Sequence, residues 1–238
     1  TDGALTGFEA LARWTHPVRG PIPPSEFVSL AERDGTILQL GELMLRKACA
    51  EAATWPGDLK VSVNLSPVQI THGDLPELVE RVLVDTGLAP TRLELEVTEG
   101  VLITDMERAI HVLRRIKMLG VTIAMDDFGT GYSSLHYLQS FPFDKLKIDR
   151  SFVQNIGQNA HSRAIVRAII GLGRALGLPV VAEGVETKAQ LDVLDREACE
   201  QVQGYLTGYP QPIEAYANLI VPDTVQKADH SDAERATA

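Results

Sequence analysis

Short apolar runs alternate with longer amphipathic stretches along nearly the whole chain. The runs Thr6–Trp14, Lys60–Leu65, Leu93–Thr98, Val121–Asp126, Lys145–Asp149, Val180–Glu183 and Glu200–Tyr205 have the length and alternation of strands. Between them, apolar residues recur three and four positions apart, the spacing that gathers them on one helical face. Ile110, Leu113, Ile116 and Leu119 lead in this way to Gly120, and Ile165, Ile169, Leu172 and Leu176 lead from Ser162 to Gly177. A glycine at each of these ends fits a left-handed C-cap. Strands that alternate with helices over a whole domain run parallel, which predicts a doubly wound sheet or a β/α barrel. The count approaches eight units only if one more strand precedes residue 1. Residues 1–220 are predicted to form one domain, and 221–238, poor in apolar residues, a disordered tail.

In a barrel strand, alternate residues face the lumen and the surrounding helices. Val61, Val63 and Leu65 oppose Ser62 and Asn64; Leu93, Leu95 and Val97 oppose Glu94 and Glu96. Ile123 and Met125 oppose Ala124 and Asp126, and Leu146 and Ile148 oppose Lys145, Lys147 and Asp149. Phe8 and Ala10 oppose Glu9, Leu11 and Arg13, while Val202 opposes Gln201 and Gln203. A charge turned inward is costly unless it is paired or metal-bound. One such residue is more often a core ion pair than a site. A set of them in consecutive strands, near the carboxyl ends where barrel active sites are built, points to convergence on one mouth.

The 238 residues include 22 Lys+Arg and 32 Asp+Glu, a formal net charge of −10. That balance argues against a surface that coats nucleic acid, and no DNA partner is expected. An acidic chain can still bind a phosphate ligand where bound cations reverse the local field, so some carboxylates are candidate metal ligands. Cys49 and Cys199 have no Cys or His partner at metal spacing and are predicted to be reduced, buried thiols of a cytoplasmic domain. No run reaches the roughly 18 apolar residues of a membrane span, so no membrane contact is expected of this segment. A parent protein could still be tethered through other domains.

Glu9, Asn64, Glu96, Asp126 and Asp127 are hard oxygen donors without His or Cys among them, a set suited to Mg²⁺ or Mn²⁺ rather than zinc. Adjacent Asp126 and Asp127 could bracket two cations, the arrangement used for in-line displacement at phosphorus. Lys147 either positions a water or only balances charge. The glycines of the segment Asp127–Ser134 predict a tight loop that approaches a ligand. Its Asp-Phe-Gly triplet also occurs in kinases, but the rest of a kinase signature and a P-loop are missing.

Seven motifs in chain order resemble those of the EAL family of cyclic di-GMP phosphodiesterases. They are Glu9-Ala10-Leu11 with Ala12-Arg13-Trp14, Val63-Asn64-Leu65-Ser66, Glu96-Val97-Thr98-Glu99, Asp126-Asp127-Phe128-Gly129, Lys145-Leu146-Lys147-Ile148-Asp149, Ala182-Glu183-Gly184-Val185-Glu186 and Gln203-Gly204-Tyr205. The resemblance implies a TIM-type (β/α) barrel and hydrolysis of cyclic di-GMP to linear pGpG with two divalent cations, Mg²⁺ or Mn²⁺. It implies that Glu9, Asn64, Glu96 and Asp126 hold one metal and that Asp126 and Asp127 address the second. Lys147 and Glu183 would orient and deprotonate the attacking water, and Gln203 would support them. Arg13, with Leu11 beside it, would contact substrate, and Asp149 would arrange the site next to Lys147. Glu99 would anchor the loop that starts at Asp127, and Glu186 would support the site from behind. A homodimer, and GGDEF or sensor domains in the parent protein, belong to the same expectation.

Two departures from the family pattern stand out. The strand that normally precedes the Glu-Ala-Leu signature is expected to be missing, leaving the barrel with an open edge. After Gln203, the family has an aromatic and then a basic residue before proline, whereas here Thr207, Gly208 and Tyr209 precede Pro210. The competing readings are a catalytically silent receptor for the same dinucleotide and a barrel that acts on another phosphoester.

Overall fold

In the computed structural model, which describes residues 3–100, 105–130, 138 and 141–220, seven strands pair side by side in one parallel sheet. In spatial order they are β1 (Gly7–Ala10), β4 (Lys60–Leu65), β5 (Leu93–Thr98), β6 (Thr122–Phe128), β7 (Lys145–Ile148), β8 (Val180–Ala182) and β9 (Gln201–Val202). A separate antiparallel hairpin joins β2 (Trp14–His16) to β3 (Gly20–Ile22). Helices cover the outside of the sheet: α1 (Pro24–Asp34), α2 (Ile37–Ala53), α3 (Pro67–Thr71), α4 (Leu75–Thr86) and α5 (Met106–Met118) in the first half. α6 (Arg150–Gln154), α7 (Ala160–Leu176), α8 (Lys188–Arg196) and α9 (Ala217–Ile220) follow among the described residues.

The hydrophobic pattern accounts for this arrangement. Val61, Val63, Leu93, Leu95, Val97, Ile123, Leu146 and Ile148 are buried, together with Val79 and Val82 of α4 and Leu113 and Ile116 of α5. Each such side chain contributes about 1.5–3 kcal/mol by leaving water. Local signals set the helix ends. Asp105 accepts a hydrogen bond from the Arg108 N–H at the start of α5 (3.1 Å), and Gly120 follows its end at φ +93°. Asn159 accepts from the His161 and Ser162 N–H groups at the start of α7, and Gly177 closes it at φ +69°. Gly173 allows α7 to lie directly on β8, since a Cβ there would fall 2.3 Å from Val180 Cγ2.

Five strands differ in their bounds from the sequence expectation: the run expected at Val121–Asp126 is shifted to Thr122–Phe128, that at Val180–Glu183 ends at Ala182, and three others change for visible reasons. The run Thr6–Trp14 breaks after Ala10, and Trp14 enters the hairpin, whose turn is held by Val18 and Arg19 N–H groups donating to His16 Nδ1. β7 stops at Ile148 because Asp149 turns to accept from Ser151 N–H at the start of α6 (3.0 Å). The last run shortens to Gln201–Val202 because the Gln203 carbonyl accepts instead from Val185 N–H.

β1 and β9 are the edge strands, and among the described residues they do not pair with each other. The sheet nevertheless curls until its edges approach: Gln203 Nε2, just beyond β9, lies 2.5 Å from Glu9 Oε2 in β1. Phe8 in β1 likewise packs 5.6 Å from the ring of Tyr216, which precedes α9. The fold is a TIM-type α/β barrel with one open seam. The expected tail, 221–238, lies outside the described residues.

Candidate active site

Two levels of polar side chains line the inside of the curled sheet. At the lower level, Lys145 Nζ lies 2.6 Å from Glu94, and Ser62 Oγ donates to the same carboxylate at 3.1 Å. One cation meets one anion there, and the pair is a core ion pair. At the carboxyl ends of the strands the balance is different.

Lys147 is the centre of the upper level. Its side chain is 2% exposed, and Nζ lies 2.5 Å from Glu183 Oε1, 2.6 Å from Glu96 Oε2 and 3.5 Å from Asp126 Oδ1. Glu9 reaches the same mouth across the seam, where Asn64 Nδ2 donates to its Oε1 (2.6 Å) and Gln203 Nε2 to its Oε2. The two amides therefore hold both oxygens of Glu9, Asn64 from the neighbouring strand β4 and Gln203 from across the seam.

Asp126 and Asp127 join the cluster through a backbone irregularity. Consecutive residues of a regular strand face opposite sides. Between β6 and β7 the register shifts between Met125 and Phe128, and Asp127 adopts φ +54°, in the left-handed region. Such a bulge inserts an extra residue and re-aims its neighbours. Carboxylate oxygens of Asp126, Asp127 and Glu183 consequently lie within 4.8 Å of one another. Phe128 returns to the apolar side opposite Ile148.

Five carboxylates, Glu9, Glu96, Asp126, Asp127 and Glu183, thus share one ammonium group. The protonation equilibria register that excess. Burial first, then repulsion from Glu9 and Asp126, pushes Glu96 up to about 8 despite Lys147. Burial, opposed by Lys147, also raises Glu183 to about 7. Burial and the neighbouring Asp126 and Asp149 raise Asp127 to about 6. Burial alone would depress Lys147, but Glu96, Glu183, Asp126 and Glu9 outweigh it and hold the amine protonated. An all-oxygen set with unmatched negative charge and three carboxylates converging on one point fits hard divalent cations.

The other expected site residues are placed less uniformly. Asp149 reaches Asp127 through a side-chain hydrogen bond and starts α6. Glu99 is buried and its Oε1 accepts from Gly129 N–H (2.8 Å), which holds the first turn after β6. Residues 131–134 of that loop lie outside the described residues. Leu11 and Arg13 lie beyond the end of β1 and are exposed, with Arg13 donating to the Ala12 carbonyl. Glu186 is exposed as well, and its backbone N–H donates to Gln190 Oε1 (2.8 Å). The bulge is the feature that sequence reasoning misses, and the paired aspartates at the end of a strand are its one visible signal.

Comparison with known proteins agrees with this geometry. A Caulobacter vibrioides signalling protein is 58% identical over 214 residues, which cover 90% of the chain and 26% of that protein. The Pseudomonas aeruginosa bifunctional diguanylate cyclase/cyclic di-GMP phosphodiesterase MucR is 44% identical over 217 residues, 90% of the chain and 32% of MucR. The chain therefore spans about a quarter to a third of the length of these relatives. The solved MucR phosphodiesterase in complex with cyclic di-GMP superposes with a TM-score of 0.85 at 44% identity, covering 89% of this chain and 87% of that one. The Klebsiella pneumoniae BlrP1 complex with manganese and cyclic di-GMP superposes with a TM-score of 0.74 at 33% identity, covering 85% and 52%. The EAL domain family model matches residues 1–210, and this chain belongs to the EAL domain family.

Proposed function

We propose that the chain hydrolyses one phosphodiester bond of cyclic di-GMP to give linear pGpG. The observation that carries this reading is the gathering of five carboxylates around one buried lysine at the mouth of the barrel. Such a cluster has no use for an anionic substrate until cations fill it. Two divalent cations, Mg²⁺ or Mn²⁺, fit: Glu9, Asn64, Glu96 and Asp126 would hold one, and Asp126 with Asp127 the other. When bound, they neutralise the phosphodiester and lower the pKa of water.

The chain's own groups supply the rest. Glu183 would accept the proton of the attacking water, with Lys147 Nζ 2.5 Å from its Oε1 to hold the carboxylate in place. Lys147 orients Glu183 and Glu96, and Gln203 and Asn64 fix Glu9 against rotation. Water adds to phosphorus as Glu183 takes its proton, the bond to the 3′ oxygen breaks, and that oxygen leaves as a hydroxyl with a proton from solvent, to which Glu183 returns its own. Arg13, exposed beyond the end of β1, would contact a substrate phosphate. The parent protein would join this domain to other signalling modules, in keeping with the length and bifunctional name of MucR.

The test is turnover. Purified chain is incubated with cyclic di-GMP and Mg²⁺ or Mn²⁺ beside Glu9→Ala, and nucleotides are separated by chromatography. The wild type is expected to yield pGpG and the variant to lose it. Binding without turnover in either metal would instead support the silent receptor.

A further inference from the structure

Two aspartates of β6 stand opposite one lysine of β7. The ladder pairs Met125 with Leu146 and Phe128 with Ile148, so Asp126 and Asp127 together face the single position of Lys147. An extra residue of this kind serves a site at one register only, because a slip of one position turns every side chain of a strand to its other face. Above the bulge, the Phe128–Ile148 pair closes the ladder, and the Gly129 N–H donates to Glu99 Oε1 at 2.8 Å.

Below the bulge, the register depends on Asp144, the residue that leads into β7. Its N–H donates to the Ile123 carbonyl at 2.8 Å, and its Oδ2 accepts from the Ile123 N–H at 2.8 Å. Both backbone groups of Ile123 thus end on one residue, which sets where β7 begins against β6. The pairs Ala124 with Lys145 and Met125 with Leu146 continue from that start and lead into the bulge. Lys117, near the end of α5, holds the same carboxylate from outside, with Nζ 2.6 Å from Oδ1 and 2.7 Å from Oδ2. The two side chains of this ion pair are 30% and 32% exposed, so water screens their attraction. The bond to Ile123, rather than the pair with Lys117, is the part that fixes the strands.

We propose that Asp144 is a positioning residue for the cation site: by holding Ile123 it sets the register at which Asp126, Asp127 and Lys147 meet. This rests on the functional reading above and deepens it. Mn²⁺ binding is measured by loss of the free ion's electron paramagnetic resonance signal, with hydrolysis of cyclic di-GMP followed alongside, for wild type, Asp144→Ala, Asp144→Asn, Lys117→Met and Glu94→Gln. Asp144→Ala is expected to bind Mn²⁺ about tenfold more weakly and to need correspondingly more Mn²⁺ for turnover. Asp144→Asn keeps an oxygen for the Ile123 N–H and should bind within about twofold of wild type. Lys117→Met loses only the screened ion pair and should keep the wild-type affinity. Glu94→Gln breaks the pair with Lys145 without touching Ile123, so it loses stability but binds Mn²⁺ as wild type does. An Asp144→Ala protein that melts lower yet binds Mn²⁺ as tightly as wild type overturns the assignment, as does an Asp144→Asn protein that fares no better than Asp144→Ala. If Asp144→Ala does not fold, Asp144→Glu, which keeps the charge for Lys117 but not the geometry at Ile123, is held to the same expectation. If the wild type binds Mn²⁺ but cleaves no cyclic di-GMP, the functional reading fails and Mn²⁺ binding still decides the role of Asp144. A wild type that binds no Mn²⁺ overturns that role.

Discussion

Replacing Lys147 by methionine removes the cation from the centre of the cluster while keeping most of the side chain's length. The amine contacts Glu183 at 2.5 Å and Glu96 at 2.6 Å, and its side chain is 2% exposed. Breaking a buried ion pair from one side costs about 3–5 kcal/mol, because the remaining charge is left uncompensated. For a domain of this size, about 2–4 °C of melting temperature accompanies each kcal/mol, so the metal-free variant is expected to melt about 6–20 °C below wild type. The deficit should shrink in acid, where Glu96 and Glu183 take up protons in place of the lost ammonium. Saturating Mn²⁺ should stabilise the variant more than the wild type, since the entering cations meet a larger unmatched charge. Turnover should still fall at least about 100-fold with Mn²⁺ present, because Glu183 loses the group that orients it. Melting curves in EDTA and in Mn²⁺, at acidic and alkaline pH, read these effects beside hydrolysis. A variant that melts within about 2 °C of wild type in EDTA would refute the central role given to Lys147. Destabilisation that Mn²⁺ leaves unrelieved would refute the cluster as a cation site.

Other predictions follow from the same geometry. Glu96 at about 8, Glu183 at about 7 and Asp127 at about 6 all lie above their ordinary values of 4.5, 4.5 and 3.8, so the metal-free folded chain binds more protons than the unfolded one. Their contribution to stability is fully present below about pH 4 and is lost as pH rises through about 6 to 8; saturating Mn²⁺ should flatten that decline, and a flat profile in EDTA would count against it. Glu94→Gln breaks the lower ion pair with Lys145 and should cost about 3 kcal/mol of stability while leaving the metal dependence of turnover unchanged. A shifted Mn²⁺ requirement would show that the two levels are coupled. Burial pushes the Cys49 and Cys199 thiols up to about 12 and 11, so neither should react with a disulfide reagent at pH 8 until denaturant is added; prompt labelling of the folded chain would contradict their burial.

The lumen-facing residues are legible in the sequence because a parallel strand covered by helices must place its apolar residues on one parity. Leu93, Leu95 and Val97 are fully buried, and that alone turns Glu94 and Glu96 inward. Helix ends are legible for a similar reason, since Gly120 and Gly177 tolerate the positive φ that ends a helix. The hairpin at Trp14–Ile22 is not, because Thr6–Trp14 keeps strand-like alternation across the point where the chain leaves the sheet. Nor do Arg13 and Glu186 declare their exposure. Parity describes residues within a strand, and both residues lie in the connections beyond.

Parity also cannot separate the core pair from the site. Glu94 and Glu96 are two residues apart on β5, equally buried, and each is bonded to a lysine of β7 at its own level, Lys145 and Lys147. What distinguishes them is the number of charges that meet at each level. Glu94 and Lys145 neutralise one another, whereas Lys147 faces carboxylates from both sides. The excess depends on the bulge after Met125, since a regular β6 would send one of Asp126 and Asp127 toward the helices. A strand that departs from its own alternation for one residue therefore creates the unmatched charge that calls for cations. That departure costs backbone strain at Asp127, which is expected where a site, rather than stability, decides the local structure.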